Sequence, residues 1–539
     1  MFGHESAGLA RGRRKTTQDA DRTKCVGQTQ GNDGPGDDPR GAGMTAPRAP
    51  ILMAIDQGSG SSRVLAFDRH GRVLAHATRP LATRTPRPGW VEHSPDDLLR
   101  GVKAALAAAV SDLGRDPVGI GLTTQRSTVM LWDRRTGRPL SAALSWQDRR
   151  AAEICADLSA SAARIRRTTG LVLSPYYSAP KLRWLLDRIP GAQRRAERGE
   201  VLGGTVNTFL LWHLSDRRLH VTDHTHAART LLMNLSTLEW DPWLCDQFGI
   251  PPAMLPTIAP TISAFGDIRA GARRVPVFAS IGDQQAAAFG QGGAGAGDLC
   301  LHYGTGAFAL LLTGATMIRS PRLLTSIAWS SDSARSYVLE GAVNAVGSGL
   351  AWLQRNWRLP NDLRALDRMA CRSRRPTPFL PALAGLGAPD WDPLAEGIAS
   401  GFTLASEPQD VVRGFLDGVA FLLARVVAAM PATVPASRIT ASGGLSSLSA
   451  LLQSQANFMG YPIRRTRLRE TSAWGAAALC GVGAGLWRSP GEAAQRIPYD
   501  RLFKPSANID AMSQKKRVWE YLLQEAHRIG SYTAVNHSG

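Results

Sequence analysis

Two stretches of this chain share one local pattern, and that pattern restricts the fold more than any other feature. Ile51 to Ile55 is a short apolar run ending at Asp56. A Gly/Ser turn, Gly58-Ser59-Gly60-Ser61-Ser62, follows, and a second run spans Arg63 to Phe67. Near the middle, Asp298 to His302 reads as a strand, Tyr303-Gly304-Thr305-Gly306 as a tight turn and Ala307 to Leu312 as the returning strand. Short apolar runs joined by Gly-rich turns are the mark of β-hairpins. Two halves that open in the same way predict two related domains facing each other across a cleft.

The elements between and after these hairpins mix strands with helices. Asp68-Arg69-His70-Gly71-Arg72 is a further turn before Val73 to His76. Ser94-Pro95 then starts a helix with Leu98, Leu99, Val102, Leu106 and Val110 at helical spacing. Gly119 to Thr124, Val129 to Asp133 and Val275 to Ile281 read as strands, and Asp410 to Met430 as a long helix. Arg438 to Ala441 is a strand broken at Ser442-Gly443-Gly444, with a helix from about Ser449 to Phe458 behind it. Gln514 to Arg528 reads as a closing amphipathic helix. This order predicts an α/β protein.

At 539 residues the chain exceeds one ordinary core. Residues 1–43 are polar and Gly-rich and carry no core-forming pattern. They are expected to be a disordered tail or an extension upstream of a true start at Met44. The net charge is +19, mostly from Arg. The Arg residues are scattered, without a basic helix or aromatic-interleaved patch, so nucleic acid is not an expected partner. No apolar run is long enough to span a bilayer, so no membrane insertion is expected. The start carries no apolar leader segment, so a cytoplasmic location is expected. The six cysteines form no Cys-x-x-Cys spacing and read as buried free thiols in a reducing compartment.

Several motifs could carry chemistry. In Asp56-Gln57-Gly58-Ser59-Gly60-Ser61-Ser62-Arg63, a strand-end carboxylate precedes a turn rich in backbone donors, hydroxyls and an Arg. Phosphoryl transfer needs that inventory, although an ordinary hairpin with a solvated Asp has it too. Asp283, in Gly282-Asp283-Gln284-Gln285, is either a proton acceptor at a strand end or a helix N-cap. Gly304-Thr305-Gly306 and Gly443-Gly444 are close-approach turns or simple turns. His93 reads as a structural histidine in a packed turn. His220, His224 and His226 are close in sequence, but no carboxylate pattern accompanies them, so they are not expected to bind a metal.

Taken in order, these pieces resemble the FGGY carbohydrate kinases, and within them the glycerol kinase branch. The resemblance rests on Ala54 to Gly58, Pro86 to His93, Thr124-Gln125-Arg126, Ser145 to Arg150, Val221-Thr222-Asp223 and Ala228-Arg229-Thr230. It continues through Gly282 to Gln285, Tyr303 to Gly306, Gly385 to Pro389, Trp391-Asp392-Pro393 and Gly443-Gly444. It implies two ribonuclease-H-like domains of the actin-like ATPase superfamily flanking a catalytic cleft. The expected limits are residues 48–292 for a domain with the polyol site and first phosphate loop and 293–530 for a nucleotide-binding domain. Residues 1–47 and a flexible C-terminus, 531–539, lie outside them.

The resemblance also implies roles. Asp56 is expected beside Mg²⁺, and Ser59, Gly60, Ser61, Ser62 and Arg63 form the first phosphate loop. Asp283 is the expected general base. Arg126, Ser127, Trp146, Tyr176, Asp283, Gln284 and Phe308 line the polyol pocket. Thr305 and Gly306 form the second phosphate loop, and Gly347 and Gly444 contact the nucleotide. The implied activity is ATP- and Mg²⁺-dependent phosphorylation of a small polyol, glycerol first. Another polyol or ketose, or a non-catalytic binding protein on the same fold, are the alternatives. A homo-oligomer is compatible with this reading.

The chain departs from the family pattern at Ser127, where glycerol kinases carry a Glu that hydrogen-bonds the polyol. Ser442 replaces an Asp, and Ala351 and Leu448 replace a Gln and an Asn near the adenine. Asp390 and Glu396 replace a Tyr and an Arg around Trp391-Asp392-Pro393.

Overall fold

The computed structural model describes residues 49–506 and 509–536. The expected tail, residues 1–47, lies outside them, and of the expected flexible C-terminus, 531–539, residues 531–536 are helical while 537–539 lie outside. Two large mixed sheets organise the described chain. In the first, the strands run in the spatial order Ile262–Ala270, Arg273–Gly282, Gly119–Thr124, Leu52–Gln57, Ser61–Phe67, Val73–Pro80. In the second the order is Leu324–Ser330, Arg335–Val343, Ala307–Gly314, Asp298–Tyr303, Arg438–Ser442, Ile463–Thr466, Tyr499–Phe503.

The two opening hairpins hold equivalent places. Leu52–Gln57 pairs antiparallel with Ser61–Phe67 and parallel with Gly119–Thr124. Asp298–Tyr303 pairs antiparallel with Ala307–Gly314 and parallel with Arg438–Ser442. A strand with a hairpin partner on one side and a crossover partner on the other needs apolar residues on both faces. Leu52 to Ile55 and Leu299 to Leu301 are buried throughout.

The helix Pro95–Ser111 covers one face of the first sheet. Ser94 caps it by accepting the Asp97 N–H, and Pro95 occupies its first turn. The other face is covered by Asp283–Gly290 and by Thr471–Gly483, which arrives from far along the chain. These two helices cross at glycines because nothing larger fits. A Cβ at Gly475 would stand 1.9 Å from the Ala286 carbonyl oxygen, and one at Gly290 would stand 1.9 Å from that of Thr471. The aliphatic run of Pro408–Ala428 fills the core of the second sheet.

Element boundaries differ from expectation mainly at their ends. Asp56 lies inside its strand, because the ladder continues to the Gln57–Ser62 pair. The closing helix spans Ile509–Asn536, longer than its amphipathic centre suggests. The cysteines are only partly as expected. Cys245, Cys300 and Cys480 are buried free thiols, Cys155 is half-buried and Cys371 is exposed, and Cys25 lies outside the described residues. Among the described residues, no helix is long and apolar enough to cross a membrane.

Candidate active site

Three parallel strands of the first sheet end level with one another. Gln57 is in register with Thr124, and Thr124 with Gly282. Side chains just before and after this line converge, because the C-terminal edge of a parallel sheet is where successive chain reversals leave a crevice. Asp56 comes from the first strand, Arg126 follows the second, and Asp283 follows the third.

Asp283 opens its helix as the first helical residue, and Gly282 takes the cap position, so the carboxylate is not spent as an N-cap. Its Oδ1 accepts the Gln284 N–H at 2.8 Å and lies 3.4 Å from Arg126 Nε, with 28% of the side chain exposed. Burial raises its pKa above the ordinary carboxylate value, and the Arg126 guanidinium partly offsets this. The neighbouring Gln284 Oε1 is buried and has no hydrogen-bond partner.

Arg126 is buried. Its guanidinium reaches Gln285 Oε1 at 3.1 Å and grips Glu340 through Nη1 at 2.8 Å and Nη2 at 3.2 Å. Arg229 approaches the same carboxylate at 3.4 Å. Burial opposes the charge on Glu340, but Arg126 and Arg229 together hold its pKa down at about 2. Sequence reading missed Glu340. It lies mid-strand in the second half of the chain, and only the apposition of the two sheets brings it to Arg126.

Ser127 does not present its hydroxyl to the crevice. It is fully buried, with φ at 64°, and its Oγ donates to the Arg229 carbonyl at 3.0 Å. Position 127 therefore brings no carboxylate to Arg126, whose acidic neighbours are Glu340 and Asp283.

Trp146 and Tyr176 form an aromatic wall, with ring centroids 5.4 Å apart. Trp146 Nε1 donates to Ser59 Oγ at 2.9 Å, and Ser59 Oγ donates to Gln125 Oε1 at 3.2 Å, so the first turn and the wall are joined. The wall is fixed from behind by the fully buried Lys181, whose Nζ donates to the carbonyls of Ser145 at 3.0 Å and Tyr176 at 2.8 Å. Burial lowers the pKa of Lys181 to about 7. The segments Pro86 to His93 and Ser145 to Arg150 lock together where Asp148 Oδ2 accepts the Val91 N–H at 2.6 Å.

The buried Asp56 carboxylate lies 2.5 Å from Arg63 Nη2, and Arg63 also pairs with Glu470. Burial raises the pKa of Asp56 to about 6, against the pull of Arg63 and with a contribution from Asp283. Within the first turn Gly60 is exposed and Ser59 and Ser61 are half-buried. Ser62 turns inward, its Oγ donating to Gln57 Oε1 at 2.5 Å.

The second sheet contributes a matching set of turns. The Gly304 N–H donates to Gly306 O at 2.8 Å, and the Gly347 N–H to Thr305 O at 2.9 Å. A Cβ at Gly347 would stand 2.5 Å from Gly304 O, so glycine lets its helix close onto the turn. Thr305 and Gly444 are exposed, and no atom lies within 4 Å of a Cβ built at Gly444. Ser442 Oγ meets His302 Nδ1 at 3.0 Å. Phe308 is half-buried, one strand away from Ala342. Ala351 is exposed, whereas Leu448 is buried in the second core.

A carboxylate pattern missed in the sequence accompanies the third of the histidines His220, His224 and His226. Asp223 Oδ1 receives His226 Nδ1 at 2.5 Å, both side chains being fully buried. The available signal was the Asp three positions before the His. Among the described residues no three His, Cys, Asp or Glu side chains form a metal cage.

Two ribonuclease-H-like domains, each opening on a hairpin with a Gly-rich turn, with Asp56 buried near one strand end and Asp283 half-buried just beyond another, define an actin-like ATPase architecture. The chain belongs to the FGGY family of carbohydrate kinases. Residues 51–290 match the family's N-terminal domain and residues 299–484 its C-terminal domain. The chain is 39% identical over 481 residues to a glycerol kinase of Geobacter sp. (strain M21), covering 87% of this chain and 97% of that protein. It is 41% identical over 471 residues to a glycerol kinase of Thermus brockianus, covering 84% and 95%. The crystal structure of Plasmodium falciparum glycerol kinase with ADP superposes with a TM-score of 0.83 at 28% identity, covering 89% of this chain and 98% of that one.

Proposed function

We propose that the protein transfers the γ-phosphoryl group of ATP to a primary hydroxyl of glycerol. The observation that carries this reading is the pair Asp283 and Gln284: a base with raised affinity for protons stands beside a buried acceptor with no partner, on a crevice walled by Trp146 and Tyr176. A polyol offers hydroxyl donors to such acceptors and apolar C–H faces to such a wall. Relatives named glycerol kinase, alike over most of the chain, support the same substrate.

In this reading the substrate hydroxyl oxygen attacks the γ-phosphorus, the bond to the bridging oxygen breaks, and ADP leaves. Asp283 accepts the hydroxyl proton. Arg126, held rigid by Glu340 and Gln285, orients the polyol, and position is most of what such a reaction asks of the protein. The turns at Ser59 to Ser61 and Thr305-Gly306, with Gly444, offer backbone donors to the phosphates, and Gly347, whose own N–H is given to Thr305 O, shapes the second turn.

Asp56 is the residue that would hold Mg²⁺. One buried carboxylate near a strand end suits a cation that keeps its waters and takes its other ligands from phosphates. Bound there, the ion would neutralise phosphate charge. A cytoplasmic location, with its ATP supply, fits this activity.

The test is a coupled ADP-release assay over glycerol, four- and five-carbon polyols and ketoses. Glycerol-dependent release with the highest kcat/KM for glycerol is expected. A clear preference for a larger polyol or ketose, or no substrate-dependent release, would overturn the assignment.

A further inference from the structure

Behind the crevice lies a closed ring of hydrogen bonds with no exposed member. Asp223 holds two neighbours with its two oxygens. Oδ1 takes His226 Nδ1 at 2.5 Å, while Oδ2 accepts from Thr225 N at 2.8 Å and Thr225 Oγ1 at 2.5 Å. From His226 the ring continues through Nε2 to Thr124 Oγ1 at 2.8 Å. From Thr225 it continues through Oγ1, which accepts the Gly282 N–H at 2.8 Å. Thr124 and Gly282 are themselves register partners on adjacent parallel strands, and this closes the ring. Ser280 Oγ at 3.3 Å and Thr261 Oγ1 at 3.4 Å add further donors to Asp223.

The two anchor points are the notable feature. Thr124 lies two residues before Arg126, and Gly282 immediately precedes Asp283. Asp223, Thr225, His226 and Thr124 are fully buried, and their side-chain polar atoms are bonded within the ring. Burying a carboxylate and an imidazole carries a desolvation cost that an apolar pair would avoid. A directional network offers what an apolar pair does not, namely a fixed distance between the ends of two strands.

We infer that Asp223 and His226 are positioning residues for Asp283 and Arg126, setting the separation of base and polyol-orienting guanidinium through Thr225–Gly282 on one side and Thr124 on the other. This rests on the kinase reading above. A displacement of about 1 Å at a reacting group costs up to about 10²-fold in rate. The brace therefore acts first on turnover: the phosphate turn of the second sheet is not tied to it, and the turn at Ser59 is reached at one remove, through Gln125.

The experiment compares the full-length protein with His226→Ala, His226→Asn and His226→Gln, recording kcat, KM for glycerol and for ATP, and melting temperature. The Asn amide occupies the place of Nδ1 and keeps the bond to Asp223, while the Gln amide reaches the place of Nε2 and keeps the bond to Thr124. His226→Ala is expected to lower kcat by roughly 10–100-fold with KM for ATP within about twofold. His226→Asn is expected to recover most of that loss. Equal kcat per folded molecule in all four proteins would overturn the inference. So would a loss that is the same in Ala, Asn and Gln and follows melting temperature, since that is the behaviour of a purely structural contact. A wild type that releases no ADP with any polyol overturns the kinase reading, and this inference with it.

Discussion

Arg126 Nη1 and Glu340 Oε2 lie 2.8 Å apart although 214 residues separate them in the chain. Each side chain is only 2% exposed. The carboxylate also faces Arg229, so one anion from the second sheet neutralises two cations of the first part of the chain. This contact joins the halves at the guanidinium for which a polyol-orienting role is proposed.

Replacing Glu340 by Gln keeps the shape and removes the anion, leaving two buried guanidinium groups without a counter-charge. Removing one partner of a buried ion pair costs about 3–5 kcal/mol, so a large fall in the denaturation midpoint is expected. The pH dependence has a definite sign. With its pKa depressed to about 2, folded Glu340 binds fewer protons than unfolded Glu340. The stability advantage of wild type over Glu340→Gln should be complete above the ordinary Glu pKa and vanish as pH falls towards about 2. An advantage independent of pH would show that the carboxylate charge is not what matters.

Asp283→Asn preserves the size of the side chain and removes the proton acceptor. Turnover should fall by roughly 10²–10⁴-fold, with KM for ATP little changed. Near-normal turnover at saturating polyol would reduce Asp283 to a structural helix-start residue.

Asp56 supplies a pH prediction that reports on the metal. With its pKa raised to about 6, it is increasingly protonated below that pH, and a protonated carboxyl is a poor ligand for a cation. At low Mg²⁺, kcat/KM for ATP should decline as pH falls through about 6. Raising Mg²⁺ should move this limb to lower pH, because a nearby cation favours the carboxylate form. A limb that ignores Mg²⁺ concentration would separate Asp56 from the metal.

Lys181 never reaches the crevice, yet it holds the backbone of Ser145, next to Trp146, and the backbone of Tyr176 itself. Lys181→Met keeps the length and removes the donors, leaving the Tyr176 carbonyl without its Lys181 partner and the Ser145 carbonyl with the Asp148 N–H alone. Loss of about 1–3 kcal/mol of positioning energy should raise KM for glycerol by roughly 5- to 150-fold. KM for ATP should not change. Parallel rises in both KM values would point to general loosening instead of a loosened wall.

Much of the site was legible from residue order. Gly-rich turns, strand-end carboxylates and the segments around them identify the family because each is a local device. A turn needs glycine where φ is positive or the backbone must approach closely, and a strand announces itself by its apolar run. The hairpins at Asp56 and Tyr303, the helix start at Ser94-Pro95 and the strand Gly119–Thr124 all follow from such local rules.

Tertiary structure alone decided which groups meet. Glu340 is one acidic residue within an apolar strand, and nothing local says that Arg126 will be its partner. The direction of the Ser127 side chain depends on a backbone φ of 64° and on the carbonyl of Arg229. The Asp223–His226 ring exists only because the short helix after Asp223 packs behind the ends of two strands. Periodicity and composition are set by neighbours in sequence, so the chain carries them openly. Charge neutralisation and hydrogen-bond satisfaction in a buried site are set by neighbours in space, which the amino-acid order specifies only through the complete fold.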